Sequence, residues 1–224
     1  MDEASEARVS VNVDVVSDVV CPWCYIGKRR LESAIALTPD VDVVINWRPY
    51  FLNPWIPREG IDRQTYLETK FGSAERYSVI AERVVVAAAM EGLIYAPDKV
   101  SRQPNTLDCH RLILWSRSAT DPGRVKQRLM ELYFAEGADL SDAKVLIQAA
   151  VECGMDGDLV RRLLASDADV DRIESDATSA KEAGIDGVPC FIFGSSVIVT
   201  GAQSPEYLAS AIERTSGRHT RLRA

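Results

Sequence analysis

Four residues near the start of the chain have the types and spacing for sulfur chemistry: Cys21-Pro22-Trp23-Cys24. The run before them alternates and is rich in valine, and the run after them has apolar residues at helical spacing. The pair therefore sits where a strand hands over to a helix. In that place Cys21 takes the N-cap and Pro22 the first helical position, where a missing N–H costs nothing. The free N–H groups of the first turn then face the Cys21 sulfur, and the helix dipole adds positive potential there. Both effects favour thiolate over thiol, which makes Cys21 the candidate nucleophile. Cys24, one turn on and less exposed, is placed to close a disulfide with it and is the candidate resolving thiol. The competing chemistry for two cysteines at this spacing is half of a structural zinc site. The chain has no second pair of this kind and only two histidines, and Cys109 and His110 diverge on a helix. A closed four-ligand site is hard to assemble from those residues.

The elements that must position the pair follow from the hydrophobic pattern. Residues 9–16 read Val-Ser-Val-Asn-Val-Asp-Val-Val, a strand by period-two alternation. The helix opened by Cys21-Pro22 stops at Thr38-Pro39-Asp40, a second strand covers 41–47, and Asn53-Pro54-Trp55-Ile56-Pro57 breaks regular structure. Strand, helix, strand predicts a parallel βαβ unit. From about 62 to 183 the pattern is helical with no convincing strand, and helices are predicted over 63–71, 74–91, 106–118, 123–135, 142–152, 156–164 and 169–183. Asn105, Asp121-Pro122 and Ser141 mark helix starts, and Gly92, Gly137, Gly154 and Gly184 mark stops. Strand character returns in Cys190-Phe191-Ile192-Phe193 and Val197-Ile198-Val199-Thr200, joined by Gly194-Ser195-Ser196 as a hairpin, and 205–214 reads as a closing helix. The fold class is α/β, a small domain formed by 9–57 and 184–216 and interrupted by an all-helical insertion over 58–183, with 1–8 and 217–224 as flexible termini.

Composition limits the partners. With 26 Lys+Arg against 33 Asp+Glu the net charge is −7, and 46% of the 224 residues are hydrophobic. That excludes a disordered chain and argues against nucleic acid or an anionic membrane surface as the main partner. Five cysteines at 21, 24, 109, 153 and 190 cannot all pair within one chain and do not resemble a secreted disulfide framework. The acidic opening Met1-Asp2-Glu3 is the reverse of a secretory signal, and apolar runs such as 84–90 are far short of a membrane span. The expected location is cytoplasmic.

Around the pair, the run Ser17-Asp18-Val19-Val20-Cys21-Pro22-Trp23-Cys24-Tyr25-Ile26-Gly27 resembles the DsbA family, and within it the FrnE-like thiol–disulfide oxidoreductases. Pro104-Asn105-Thr106-Leu107-Asp108 with Arg111-Leu112, then Gly187-Val188-Pro189, then Thr200-Gly201-Ala202-Gln203 extend the resemblance in order along nearly the whole chain. It implies a thioredoxin fold carrying the helical insertion, Cys21 as nucleophile and Cys24 as resolving thiol. It also implies that Val188-Pro189 is a cis peptide bond beside the pair, leaving the Val188 backbone free to bind an extended substrate. The implied activity is thiol–disulfide exchange with protein dithiol or disulfide substrates, with no metal or nucleotide cofactor and glutathione open as a small co-substrate. FrnE-like proteins are also similar in layout to the group of 2-hydroxychromene-2-carboxylate isomerase and the kappa-class glutathione transferases. Those proteins activate glutathione with a serine in the place of Cys21, so a glutathione-dependent isomerase or transferase is the alternative. Monomer and homodimer both stay open.

One departure from the family matters. The best-known DsbA oxidants carry a histidine between the cysteines, where this chain has Trp23. A neutral indole does not stabilise a thiolate, so Cys21 is expected below a free cysteine in pKa but less extreme than in a strong oxidant, with a more reducing pair. Trp23 offers substrates a flat apolar surface or packs on the insertion. Cys109, Cys153 and Cys190 read as core thiols. His110 reads as a packed or solvated helix residue rather than a proton shuttle, and Asn105 as a cap. Trp47, Pro49 and Phe51 read either as an apolar rim or as core.

Overall fold

The computed structural model describes residues 8–217, so the expected flexible termini lie almost wholly outside the described residues. The alternating valines form β1 (Val9–Ser17), with Val11, Val13 and Val15 buried. Helix α1 (Pro22–Leu37) returns over the sheet to β2 (Val41–Pro49), which pairs with β1 in parallel from Val9↔Val41 to Ser17↔Pro49. The predicted hairpin is present as β5 (Cys190–Phe193) and β6 (Val197–Thr200), and β5 lies antiparallel to the other edge of β1, with Val13 opposite Phe193 and Val16 opposite Cys190. The sheet order is β2-β1-β5-β6, which makes β1 a central strand and places its C-terminal end, just before Cys21, next to the start of β5, just after Pro189. The closing helix α9 (Pro205–Thr215) packs against α1, burying Leu208, Ala211 and Ile212.

Between β2 and β5 the chain is helical, as the pattern predicts. It forms α2 (Arg63–Phe71), α3 (Ala74–Met90), α4 (Leu107–Ser116), α5 (Pro122–Glu131), α6 (Ala143–Glu152), α7 (Gly157–Leu164) and α8 (Val170–Glu182). Most starts are fixed by local chemistry. Asp121 Oδ1 accepts the Gly123 N–H at 2.9 Å with Pro122 in the first turn, and Asp156 Oδ1 accepts from Asp158 and Leu159. For α6 the cap is Asp142, which accepts from Lys144 at 2.8 Å, rather than Ser141. Asn105, expected as the cap of α4, stands one residue before the N-cap Thr106, whose own side chain makes no cap bond; Asn105 Oδ1 instead accepts the Leu107 N–H at 2.9 Å.

Two features depart from the sequence pattern. The insertion holds a two-residue antiparallel ladder, β3 (Ile61–Asp62) with β4 (Arg102–Gln103), where no strand was expected. Such a pairing is too short to leave a periodic trace and is fixed by side chains such as Arg102, whose guanidinium donates to the Glu59 and Gly60 carbonyls. The helix expected over 123–135 stays α-helical only to Glu131 and widens into a π-helical turn at Leu132–Glu136. Gly137 ends it at φ +73°, where a Cβ would run into the Lys99 carbonyl.

One continuous hydrophobic core joins the sheet, α1 and α9 to the insertion. Val13, Phe191, Leu31 and Ile212 belong to the same cluster as Leu112, Leu129 and Met130. Trp47, left open between rim and core, is core at 7% exposure. A close approach within this core is at Gly27 in α1, where an added Cβ would lie 2.9 Å from Pro189 Cγ and 3.2 Å from the Phe191 ring. Gly27→Ala should therefore destabilise the fold by about 1–3 kcal/mol, the usual cost of overpacking. The change is read as a lower denaturant midpoint at unchanged slope.

Candidate active site

Both ends of the pair's environment are set by backbone. Cys21 is the N-cap of α1 at φ −90°, ψ 113°, with Pro22 in the first turn, and its carbonyl accepts the N–H groups of Cys24 at 3.0 Å and Tyr25 at 3.2 Å. These are ordinary first-turn helical bonds, and the sulfur closes no side-chain cap bond. Cys21 Sγ instead donates to the Val188 carbonyl at 3.6 Å, which brings the loop before β5 directly over the pair. The Val188-Pro189 bond is cis, and the Pro189 carbonyl accepts from the Gly201 N–H at 2.8 Å. Arg30 of α1 donates to the Ala202 carbonyl at 2.6 Å, tying the same loop cluster to the active helix. The sequence-singled groups Cys21–Cys24, Val188–Pro189 and Gly201–Gln203 thus meet in one place.

Cys21 and Cys24 are both buried, at 3% and 2% exposure, so they differ in electrostatics rather than in access as expected. Cys21 lies below the ordinary thiol range. The Cys24 thiol lowers it most, burial opposes, and the Cys24 and Trp23 N–H groups add to the lowering while the Asp18 charge works against it. Cys24 lies well above the ordinary range, pushed there first by burial and then by Cys21. The lowering expected for Cys21 is present, with Cys24 rather than the helix terminus as its leading cause. Trp23, between them, is 39% exposed. Of its two readings, the surface one fits.

Asp18 and His110 form a buried pair beneath. Asp18 is fully buried, its Oδ2 accepts the Leu52 N–H at 2.8 Å, and its Oδ1 lies 3.5 Å from His110 Nε2. Burial pushes this carboxyl up, but His110, Leu52 and Thr106 outweigh it and hold it below the usual carboxylate range. His110, on α4, is 4% exposed, with Nε2 also 3.2 Å from the Tyr50 carbonyl and its ring edge-on to Phe51. Lys70 of α2 is placed from the other side. Its ammonium donates to Asn53 Oδ1 and lies near the Tyr66 and Phe71 rings at 5.7 and 5.9 Å. Burial lowers its pKa, while Cys21 and Asp18 act to raise it. Sequence reasoning missed Lys70 because it is an exposed helix lysine whose only mark is that its ammonium reaches across to Asn53 and the Tyr66 and Phe71 rings, a placement set by tertiary packing. Cys190 is buried beside Val16 and Tyr50, and Cys109 and Cys153 are buried too. Among the described residues no group of three or more His, Cys, Asp and Glu could hold a metal ion.

Comparison with known proteins gives this geometry a family context. The family pattern described as DSBA-like thioredoxin domain matches residues 12–213. A Bacillus subtilis (strain 168) relative, the uncharacterized protein YwbO, is 28% identical over 206 residues, covering 91% of this chain and 96% of its own. The probable DsbA oxidoreductase SCO1869 of Streptomyces coelicolor is 30% identical, with a TM-score of 0.81 over 96% of this chain and 93% of that one. A 2-hydroxychromene-2-carboxylate isomerase shares the fold, with a TM-score of 0.69 at 15% identity over 95% of this chain and all of that one.

Two substitutions should move Cys21 in opposite directions. Cys24→Ala removes the group that lowers Cys21 most and should raise the pH at which it ionises; Asp18→Asn removes an opposing charge and should lower it. Titrating the thiolate ultraviolet absorbance of each variant reads both shifts.

Proposed function

The chain belongs to the DSBA-like thioredoxin domain family, and from that premise we propose that it exchanges disulfides with protein or small-thiol substrates through Cys21 and Cys24. The observation that carries the reading is the contrast between two neighbouring buried thiols, one lowered and one raised, under the backbone of Val188-Pro189. A lowered thiol is the attacking and leaving sulfur, and a raised one is the resolving sulfur. In the reduced form the Cys21 thiolate attacks a substrate disulfide, one substrate sulfur leaves as thiolate, and Cys24 displaces the other from the mixed disulfide. In the oxidised form a substrate thiolate attacks the Cys21–Cys24 bond and the same steps run backwards.

Val188 offers the recognition element. Its carbonyl is already within reach of Cys21 Sγ, so an extended substrate pairing with this backbone would bring its own sulfur to the same point. Trp23 supplies exposed apolar surface beside it. No helix among the described residues is long and apolar enough to cross a membrane. With the cytoplasmic location expected from the sequence, reduction or isomerisation is the favoured direction.

The likeness to 2-hydroxychromene-2-carboxylate isomerase motivates a second reading, in which glutathione is activated at the position of Cys21. The two readings separate on one substitution. Cys21→Ser should abolish insulin reduction, while Cys24→Ser should leave Cys21 able to form mixed disulfides that accumulate unresolved, visible by mass spectrometry. Insulin reduction that survives Cys21→Ser would overturn the exchange reading. Glutathione conjugation that survives the same change would support the second.

A further inference from the structure

A cavity of about 1080 Å³ opens between α2, α3 and the segment 95–100, and Arg63, Tyr77 and Tyr95 form its polar part. Among the described residues, neither the thiol pair nor Val188–Pro189 lines it. Arg63 is the first residue of α2, and its guanidinium lies over the Tyr66 and Tyr77 rings at 5.1 and 4.9 Å. Nη1 donates to Gln103 Oε1 at 2.7 Å and to the Tyr133 hydroxyl at 3.3 Å, and Nη2 donates to the Tyr77 hydroxyl at 2.9 Å. These acceptors are all neutral, and among the described residues no carboxylate stands within ion-pair distance of Arg63.

A donor count sharpens the point. A guanidinium carries five N–H groups, and three are used here. Of the two left, one is on Nε, which is buried without a partner, and the other is on Nη2. The Tyr77 and Tyr95 hydroxyls share one hydrogen bond at 2.6 Å, and whichever donates, one phenolic hydrogen stays uncommitted. The cluster is positive and has donors to spare, which is the complement of a carboxylate.

Beside this cluster the walls are aliphatic. Leu67, Ala81 and Val100 are buried, but Val85 and Val86 of α3, which line the same cavity, are 39% and 63% exposed. Apolar surface left open beside a cavity gains from cover by an aliphatic chain. The carboxylates of the cavity, Glu75, Glu82 and Asp98, line it from exposed positions, where solvent screens them. They disfavour a second negative charge along the walls and leave the Arg63 end as the place for one.

We infer that this cavity binds a monoanionic aliphatic carboxylate, with its charged end on Arg63 and the Tyr77–Tyr95 hydroxyls and its chain along Leu67, Val85, Val86 and Val100. The size of the cavity is at the upper end of small-molecule sites.

The test titrates the unmodified full chain with octanoate, octanol, octylamine and hexanoate by calorimetry. Octanoate should saturate one site. Octanol keeps the chain without the charge and should bind roughly tenfold more weakly; octylamine, with the opposite charge, should bind more weakly still. Hexanoate should bind roughly tenfold more weakly than octanoate, having two methylenes fewer against the walls. Octanol or octylamine binding as tightly as octanoate overturns the carboxylate assignment, and hexanoate binding as tightly overturns the placing of the chain. Two substitutions locate the site. Val86→Asp is a surface change with little cost to the fold, and it should weaken octanoate roughly tenfold by charging the wall. Octanoate affinity unchanged by Val86→Asp overturns the site. Arg63→Gln should bring octanoate down to the level of octanol, and a preference for octanoate that survives it overturns the role of Arg63. Insulin reduction enters none of these readings, so they stand or fall apart from thiol exchange.

Discussion

A carboxylate buried three residues before a thiol destined to ionise is the constraint on which the rest of this structure depends. Asp18 is wholly out of solvent, and an uncompensated charge there would cost several kcal/mol. Its compensation comes from outside the βαβ unit that carries it: the Leu52 N–H from the chain leaving β2, and His110 and Thr106 from the start of α4. The helical insertion is therefore part of the site. Without its first turn of α4, the carboxylate beneath the cysteines would have to take up a proton or move. The shared core of sheet and insertion residues reinforces that fixed relation.

The same carboxylate explains why cations gather here. Asp18 opposes ionisation of Cys21, and Trp23 between the cysteines brings no charge to offset it. The positive groups come instead from the insertion, with Lys70 on an exposed position of α2 and Lys126 buried on α5, each influenced by the sulfurs. A site built this way divides its tasks. The positive charges that bear on the sulfurs come from two insertion helices, α2 and α5. The outer side is left to neutral groups, namely the Trp23 indole and the backbone around Val188.

Much of this was legible in the sequence. The Cys21–Cys24 spacing, the proline at the helix start and the alternating valines before it fixed the position of the pair, because each is a local signal. Helices α2 to α8 were legible for the same reason, their caps and periodic apolar positions lying within a few residues of one another. The β3–β4 ladder was not, since two residues on each strand carry no periodicity. Neither was the sheet order, which depends on β5 returning from far along the chain to pair with β1. The charged residues of the site were least legible of all. In Gly-Arg-Val-Lys-Gln-Arg-Leu nothing distinguishes Lys126 from its exposed neighbour Arg124; only the packing of α5 against Trp47 does.

That difference has a physical cause. Local motifs report what the backbone does over one turn, and a reactive cysteine at a helix start is such a motif. The pKa of that cysteine is a sum over charges brought together by long-range packing, and these belong to helices of no special composition. Here the leading influence on Cys21 is Cys24 itself rather than the helix terminus, and the leading attractive charge for Cys24 is a lysine more than a hundred residues away in sequence. The motif therefore identifies which atoms react, and the insertion determines how readily each of them gives up its proton.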